Sequence, residues 1–509
     1  MRGWLTIVVL VACSSNGGNN NGSGGSDGSN PPGGGGDGGV SVDAAPPQAT
    51  CTPIAPVDTS SPTTTITDCS DQSALTAAAA AGGTIVFSCG SAPVTIPITQ
   101  TIMFAKDTVV DGGGMVTLDG GGTTRIFYVA SDFNTPTPRL TVQRLNFTHG
   151  MGPGSGDDTA RGGGAIYRNG GSLTVIDSSF NDNHAGSVGQ DLAGGAIYGF
   201  GGSGGDIQIS GSTFTNNSAS DGGAVGSLQG PVTIVNSTFA NNQATGTNGN
   251  PGSGGCGGAL YQDGKAEATS LCGVTISGNT AGAIGGGVFR VSNTHDGTWA
   301  MDRSTVDSNT VPATAATTNA GGLYLEGLAI TITASTISNN KGGFAGGIWI
   351  NRNSANLTNV TIANNTATVS NGGGVWLGNS PTGTMLNCTI ANNKATGSGM
   401  VAGAIFSTGL TLQNTIIANN TAEFDPSCEA PPLAGTTGNL QFPSGSLCTA
   451  SPKIADPMLG MLGSNGGPTA TLLPASGSPA AGIGTNCPST DQRGNPRGTT
   501  CTAGAVEIQ

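Results

Sequence analysis

The sequence predicts an all-β solenoid, a parallel β-helix whose first coil is closed by one short N-terminal capping helix. Three observations point there. Only 9% of the 509 residues are charged while 89 are glycine, and Thr, Ser, Asn, Ile and Val abound; that profile favours short strands and tight turns. A Gly-Ala or Gly-Gly pair precedes an aliphatic anchor at Ile166, Ile197, Val225, Leu260, Val288, Leu323, Ile348, Val375 and Ile405, at intervals of 25 to 35 residues. A second anchor follows each, from Phe180 to Ile417. Three residues beyond it stands Asn183, Asn217, Asn242, Asn279, Asn309, Asn340, Asn365, Asn393 or Asn420. Periods of this length mark repeat architectures. No repeat has room for a βαβ helix, so parallel stacking must come from coils wound on themselves, about 4.8 Å apart. Gly and Asn are expected where the chain turns with positive φ, and the asparagines to bond from coil to coil.

In chain order, residues 1–13 (MRGWLTIVVLVAC) carry one basic residue and an apolar run too short to span a bilayer, the layout of a signal peptide. The ending Leu10-Val11-Ala12-Cys13 resembles the bacterial lipobox. That resemblance implies lipidation of Cys13, membrane attachment through the lipid, and, with Ser14 following, outer-membrane or cell-surface placement; an ordinary export signal is the alternative. Residues 14–50 are a Gly/Asn/Ser linker unable to order itself, reaching roughly 30–35 Å. Residues 51–425 read as the β-helix. Within them, 69–83 predict the one helix, with Asp71 as its cap and a lid over the exposed first sheet edge. The stretches 244–256 and 310–320 are loops leaving the stack. Residues 426–509 form a separate C-terminal module.

With Cys13 lipidated, ten cysteines remain, an even number suited to disulfides in an exported protein. Local spacing suggests Cys69–Cys89, Cys256–Cys272, Cys428–Cys448 and Cys487–Cys501, leaving Cys51 and Cys388 over. No CxxC occurs, which argues against zinc ribbons and thioredoxin-like chemistry.

The alternating GGAI and FxNN-type motifs over 162–422 resemble the repeats of chlamydial polymorphic outer-membrane proteins and of right-handed parallel β-helix proteins with a pectin-lyase-like fold. The tail resembles the choice-of-anchor Q module through Asp456-Pro457, Asn465-Gly466-Gly467-Pro468-Thr469, Ser478-Pro479-Ala480 and Asp491-Gln492-Arg493-Gly494. Such modules usually precede a surface anchor, and here Cys13 is the expected one.

Net charge is −13, with 16 Lys and Arg scattered along the chain. No basic stripe for nucleic acid is present. Pectin-lyase-like folds host polysaccharide lyases and glycosidases, which need paired carboxylates, or a calcium and a basic residue. Asp206, Asp263, Glu267, Asp296, Asp302, Asp307 and Glu326 are available, but no two share a register in adjacent coils. Asp157-Asp158 reads as a solvated turn, and His149, His184 and His295 lie in turn-like text. The sequence thus designates no catalytic residue, metal or cofactor. One register stands out: Tyr167, Tyr198, Tyr261, Tyr324, Trp349 and Trp376 each follow an aliphatic anchor and should face outward. Such a ladder suits stacking on glycan rings or stacking on itself to hold the sheet. The expectation is a non-enzymatic, surface-anchored rod that adheres to or contacts polysaccharide; the alternative is a polysaccharide lyase or glycoside hydrolase.

Overall fold

A computed structural model of the chain describes residues 51–202, 205–249, 253–265, 267–312, 319–351, 354–378, 382–407, 409–429 and 433–509. The expected signal peptide, Cys13 and the linker lie outside the described residues. The coils stack as the repeat predicts. In one of them, Ile166–Asn169 joins an 11-stranded parallel sheet, while Ser172–Ile176 and Ser179–Asn181 join a 26-stranded one on either side of a bend at Asp177. Equivalent residues lie in register: Ile166 beside Ile197, Ile197 beside Val225, and so on to Val375 beside Ile405. Strand alternation turns these anchors inward, where they fill the bore with the second anchors. Phe180, Phe214 and Phe239 stack there with ring centroids 4.7 Å apart.

The nine asparagines form a continuous buried ladder. Nδ2 of each donates to Oδ1 of the next, eight bonds of 2.9–3.0 Å from Asn183 to Asn420. Gly and Asn take the turn conformation, as expected, one position before the ladder. Positive φ falls on the position before the ladder, at Asp182, Asn216, Asn241, Gly278 and their equivalents, and not on the ladder asparagine. A second ladder runs beside it: Ser212 Oγ accepts from Ser178 N–H, Ser237 Oγ from Ser212 N–H, and Ser335 Oγ from Ser304 N–H, each at 3.1 Å.

Helix α1 (Ser73–Ala81) covers the first coil, burying Leu75, Ala78 and Ala79. Asp71 Oδ1 accepts the Ser73 N–H at 2.7 Å. The chain before it is a strap laid along the bends of the long sheet. Asn236 Nδ2 donates to Cys51 O, Ile54 N–H to Ser210 Oγ, Val57 N–H to Gln143 Oε1, and Thr59 Oγ1 to Asp111 Oδ2. Cys51 is bonded to Cys272, with Cα atoms 5.3 Å apart.

That bond corrects the expected Cys256–Cys272 pair. Cys272 ends a strand of the long sheet, whereas Cys256 is buried in the layer outside the 11-stranded sheet. Cys69–Cys89, Cys428–Cys448 and Cys487–Cys501 are bonded, and Cys388 is a buried thiol pushed up to about 12 by desolvation.

The β-helix also runs past its expected end at 425. Leu440–Phe442 pairs with Ile416–Ala418, and Lys453–Ile454 pairs with Leu440 and Gln441. The remaining tail folds back along the same line of bends. Thr361 Oγ1 donates to Gln492 Oε1 at 2.6 Å, Gln492 Nε2 to Thr336 Oγ1 at 2.8 Å, and Asn387 Nδ2 to Thr502 O at 3.1 Å.

Candidate functional site

The aromatic file does lie on the outer side of the 11-stranded sheet, but that side is covered. Tyr167, Tyr198, Tyr261, Tyr324, Trp349 and Trp376 are 0–7% exposed. Ala193, Cys256, Ile284 and Phe344, each four residues before an anchor, close over them as a second apolar layer. Within it the rings stack on one another, Tyr261 on Phe289 at 5.5 Å and Trp349 on Trp376 at 4.7 Å. The expected exposed ladder is therefore corrected: alternation fixes which side of a sheet a residue occupies, not whether loops cover that side.

Gly226 interrupts the file. A Cβ there would stand 2.8 Å from Tyr198 Cδ2, so the missing side chain makes room for that ring. Asp221 enters the layer at the same coil, its Oδ1 accepting the Cys256 N–H at 2.8 Å. Tyr261 Oη donates to Asp191 Oδ1 at 2.6 Å and lies 3.2 Å from Asp263 Oδ2. Burial pushes the Asp191 and Asp221 carboxyls and both phenols up, and neighbouring carboxylates raise Asp221 and the phenols further. Asp221, Asp263 and both tyrosines are sealed, so this cluster does not meet a ligand.

A part-exposed imidazole lies at the rim where the strands of the 11-stranded sheet end, over carboxylates that are themselves buried. Asp263 and Glu326 stand three residues past their anchors, on the same outward side as the rings. Asn351 is the neighbour of Glu326 in the next coil. Loop 292–297 returns across this edge and carries His295 at a positive φ of 59°. Its Nδ1 stands 2.7 Å from Glu326 Oε1, with the carboxylate buried and the imidazole 32% exposed. Asn351 Nδ2 donates to Glu326 Oε2 at 2.9 Å, and Asn293 Nδ2 to Asp263 Oδ1 at 2.8 Å. Beneath the loop, Arg290 donates to the backbone oxygens of Glu326 and Glu267, and desolvation lowers it to about 10. Gly297 and Gly327 leave the space its guanidinium fills. Glu267 is buried beside it, and desolvation raises its carboxyl to about 7.

A part-exposed imidazole backed by a buried carboxylate is equipment for general acid–base work. The acids were visible in the sequence one by one. What sequence did not supply was the path of loop 292–297, which brings His295 back over Glu326. Asp158 pairs with Arg161 at 3.1 Å, and His149 and His184 lie at a different corner of the coil.

Residues 265–428 match the family model described as right handed beta helix region. No curated protein matches the chain. Among solved structures, the chain is similar to an alginate lyase in complex with G6, at 15% identity, TM-score 0.43, covering 73% of this chain and 84% of that one. It is also similar to a PL6 alginate lyase in complex with a trisaccharide, at 16% identity, TM-score 0.43, covering 76% and 85%. A pectate lyase matches at 15% identity, TM-score 0.33, covering 84% and 88%. The expectation of a non-enzymatic rod is withdrawn: the three solved structures named above are described as alginate or pectate lyases. These are likenesses of fold and assign no activity. The stacked parallel strands and the matched region together make this chain a right-handed parallel β-helix.

Proposed function

We propose that this protein is an exported, lipid-anchored β-helix of the cell surface that acts on polysaccharide at the His295 rim. The observation that carries the reading is the part-exposed His295 set against buried Glu326. Such a pair can take up and return a proton at a glycosidic linkage, as hydrolysis and elimination both require. Four disulfides among the described residues support an oxidising compartment. The Leu10–Cys13 motif supports the lipid anchor, and Cys13→Ser should move the protein out of the membrane fraction.

The test is incubation of the purified protein with alginate, pectate and neutral polysaccharides, following new reducing ends and unsaturated uronide absorbance. Turnover is expected, falling about 10²–10⁴-fold in His295→Ala. Binding without turnover would remove the proton-transfer role. Absence of both would remove the reading altogether.

A further inference from the structure

Residues 51–63 cross the coils against the direction in which they are wound. Thr63 N–H donates to Thr84 O beside the first coil, Thr59 reaches Asp111, Val57 reaches Gln143, Ile54 reaches Ser210, and Cys51 reaches Asn236. Seven successive parallel pairings lead from Thr64–Ile66, next to the strap, to Thr269–Cys272. At about 4.8 Å per coil, Cys51 lies roughly 34 Å along the stack from the point where the strap joins it.

No apolar anchor fixes this segment. None of residues 51–60 is buried, and the first side chain to enter the core is Ile66. The covalent bond that pins its far end is also the accessible one. Cys51 and Cys272 are both part-exposed. Each of the other three disulfides among the described residues has at least one buried cysteine, in Cys69, Cys428, Cys448 and Cys501. Arg303 Nε donates to Asp302 Oδ2 at 2.8 Å, which sets Nη2 at 3.7 Å and the carboxylate at 3.8 Å from Cys272 Sγ. Those opposite charges offset one another, so access and not thiol acidity distinguishes this bond.

We propose that Cys51–Cys272 is a redox latch on the strap, opened by a dithiol. One thiolate of the dithiol attacks a sulfur of the bond, forming a mixed disulfide and releasing the other cysteine as a thiolate. The second thiol closes on the mixed disulfide. The dithiol leaves as a disulfide, and Cys51 and Cys272 have gained its two electrons and two protons. Once the bond is open, hydrogen bonds that each contribute little net against water do not offset the entropy of ordering an exposed segment, and the strap comes away as far as Thr63. The exit of the preceding chain then moves from beside Cys272 to the end covered by α1, and the buried Asp111, Gln143 and Ser210 meet solvent. A last consequence rests on the surface anchoring proposed above: the rod passes from being held partway along its length to being held at its end.

The test exposes the whole oxidised protein to graded dithiothreitol under native conditions. Free thiols are trapped with an alkylating agent and mapped by mass spectrometry, with amide exchange measured on the same samples. Cys51 and Cys272 are expected to become alkylated about 10-fold or more faster than the cysteines of the other three disulfides. The amides of Ile54 and Val57 should lose protection at the same dose, those of Ile234 and Leu271 should keep theirs, and reoxidation should restore the strap. Earlier reduction of Cys69–Cys89 or Cys428–Cys448, or strap amides that stay protected after Cys51–Cys272 has opened, overturns the proposal. Neither readout involves membrane or polysaccharide, so failure of the proposed function would leave the latch standing.

Discussion

Asn279 shows how much one position contributes when every coil repeats it. Its Nδ2 donates to Asn309 Oδ1 and Phe239 O, and its Oδ1 accepts both from Asn242 Nδ2 and from the Asn242 backbone. Asn279→Ala leaves buried groups unpaired on both sides, at about 1–3 kcal/mol for each such group. The expected outcome is a lower urea midpoint with an unchanged slope. Asn241 is a residue of the same type one place before the ladder, but its role is conformational, with φ at 57°; Asn241→Gly should be nearly neutral. Glu267 predicts a pH dependence. Burial raises its carboxyl from 4.5 to about 7. The folded state therefore holds a proton that the unfolded chain releases, a contribution present at low pH and lost as pH rises between those two values. Unfolding free energy should fall across that window, and Glu267→Gln should flatten the fall; denaturation curves at a series of pH values would show it.

The aromatic layer and the strap carry the argument for elements. Trp376 lies in a covered stack between Trp349 and Phe406. Trp376→Ala is expected to cost about 3–5 kcal/mol, as a buried large-to-small change does, and to leave polysaccharide turnover per folded molecule unchanged. The strap of residues 51–59 is tied to the bends by four hydrogen bonds and by Cys51–Cys272. In Cys51→Ser the amides of Ile54 and Val57 should exchange faster while those of the stacked strands do not change. The strands and the ladder were legible because each anchor recurs nine times. The serine ladder is also written in the repeat, two residues before the second anchors at Ser178, Ser212, Ser237, Ser304 and Ser335, but serine is too common in this chain to stand out. The apolar cover was written too, in Ala193, Cys256, Ile284 and Phe344. It escaped because a single residue per repeat in glycine-rich text looks like loop. The Cys51–Cys272 bond had no local signal at all, since it joins residues 221 apart.

For the molecule as a whole, two terminal segments close most of the line of bends along the long sheet, and the apolar layer closes the outer side of the 11-stranded sheet. What remains open includes the strand-end rim around His295. It could not be read from the sequence, because it depends on which coil lies above which and on a loop whose length breaks the repeat. The central claim is that polysaccharide meets the His295 rim and not the aromatic ladder. The direct measurement compares polysaccharide turnover and retention for His295→Ala and for Trp349→Ala/Trp376→Ala, each normalised to its folded fraction. The account predicts that the first variant loses turnover while the second keeps both properties. Full activity in His295→Ala, with loss confined to the tryptophan variant, would contradict it.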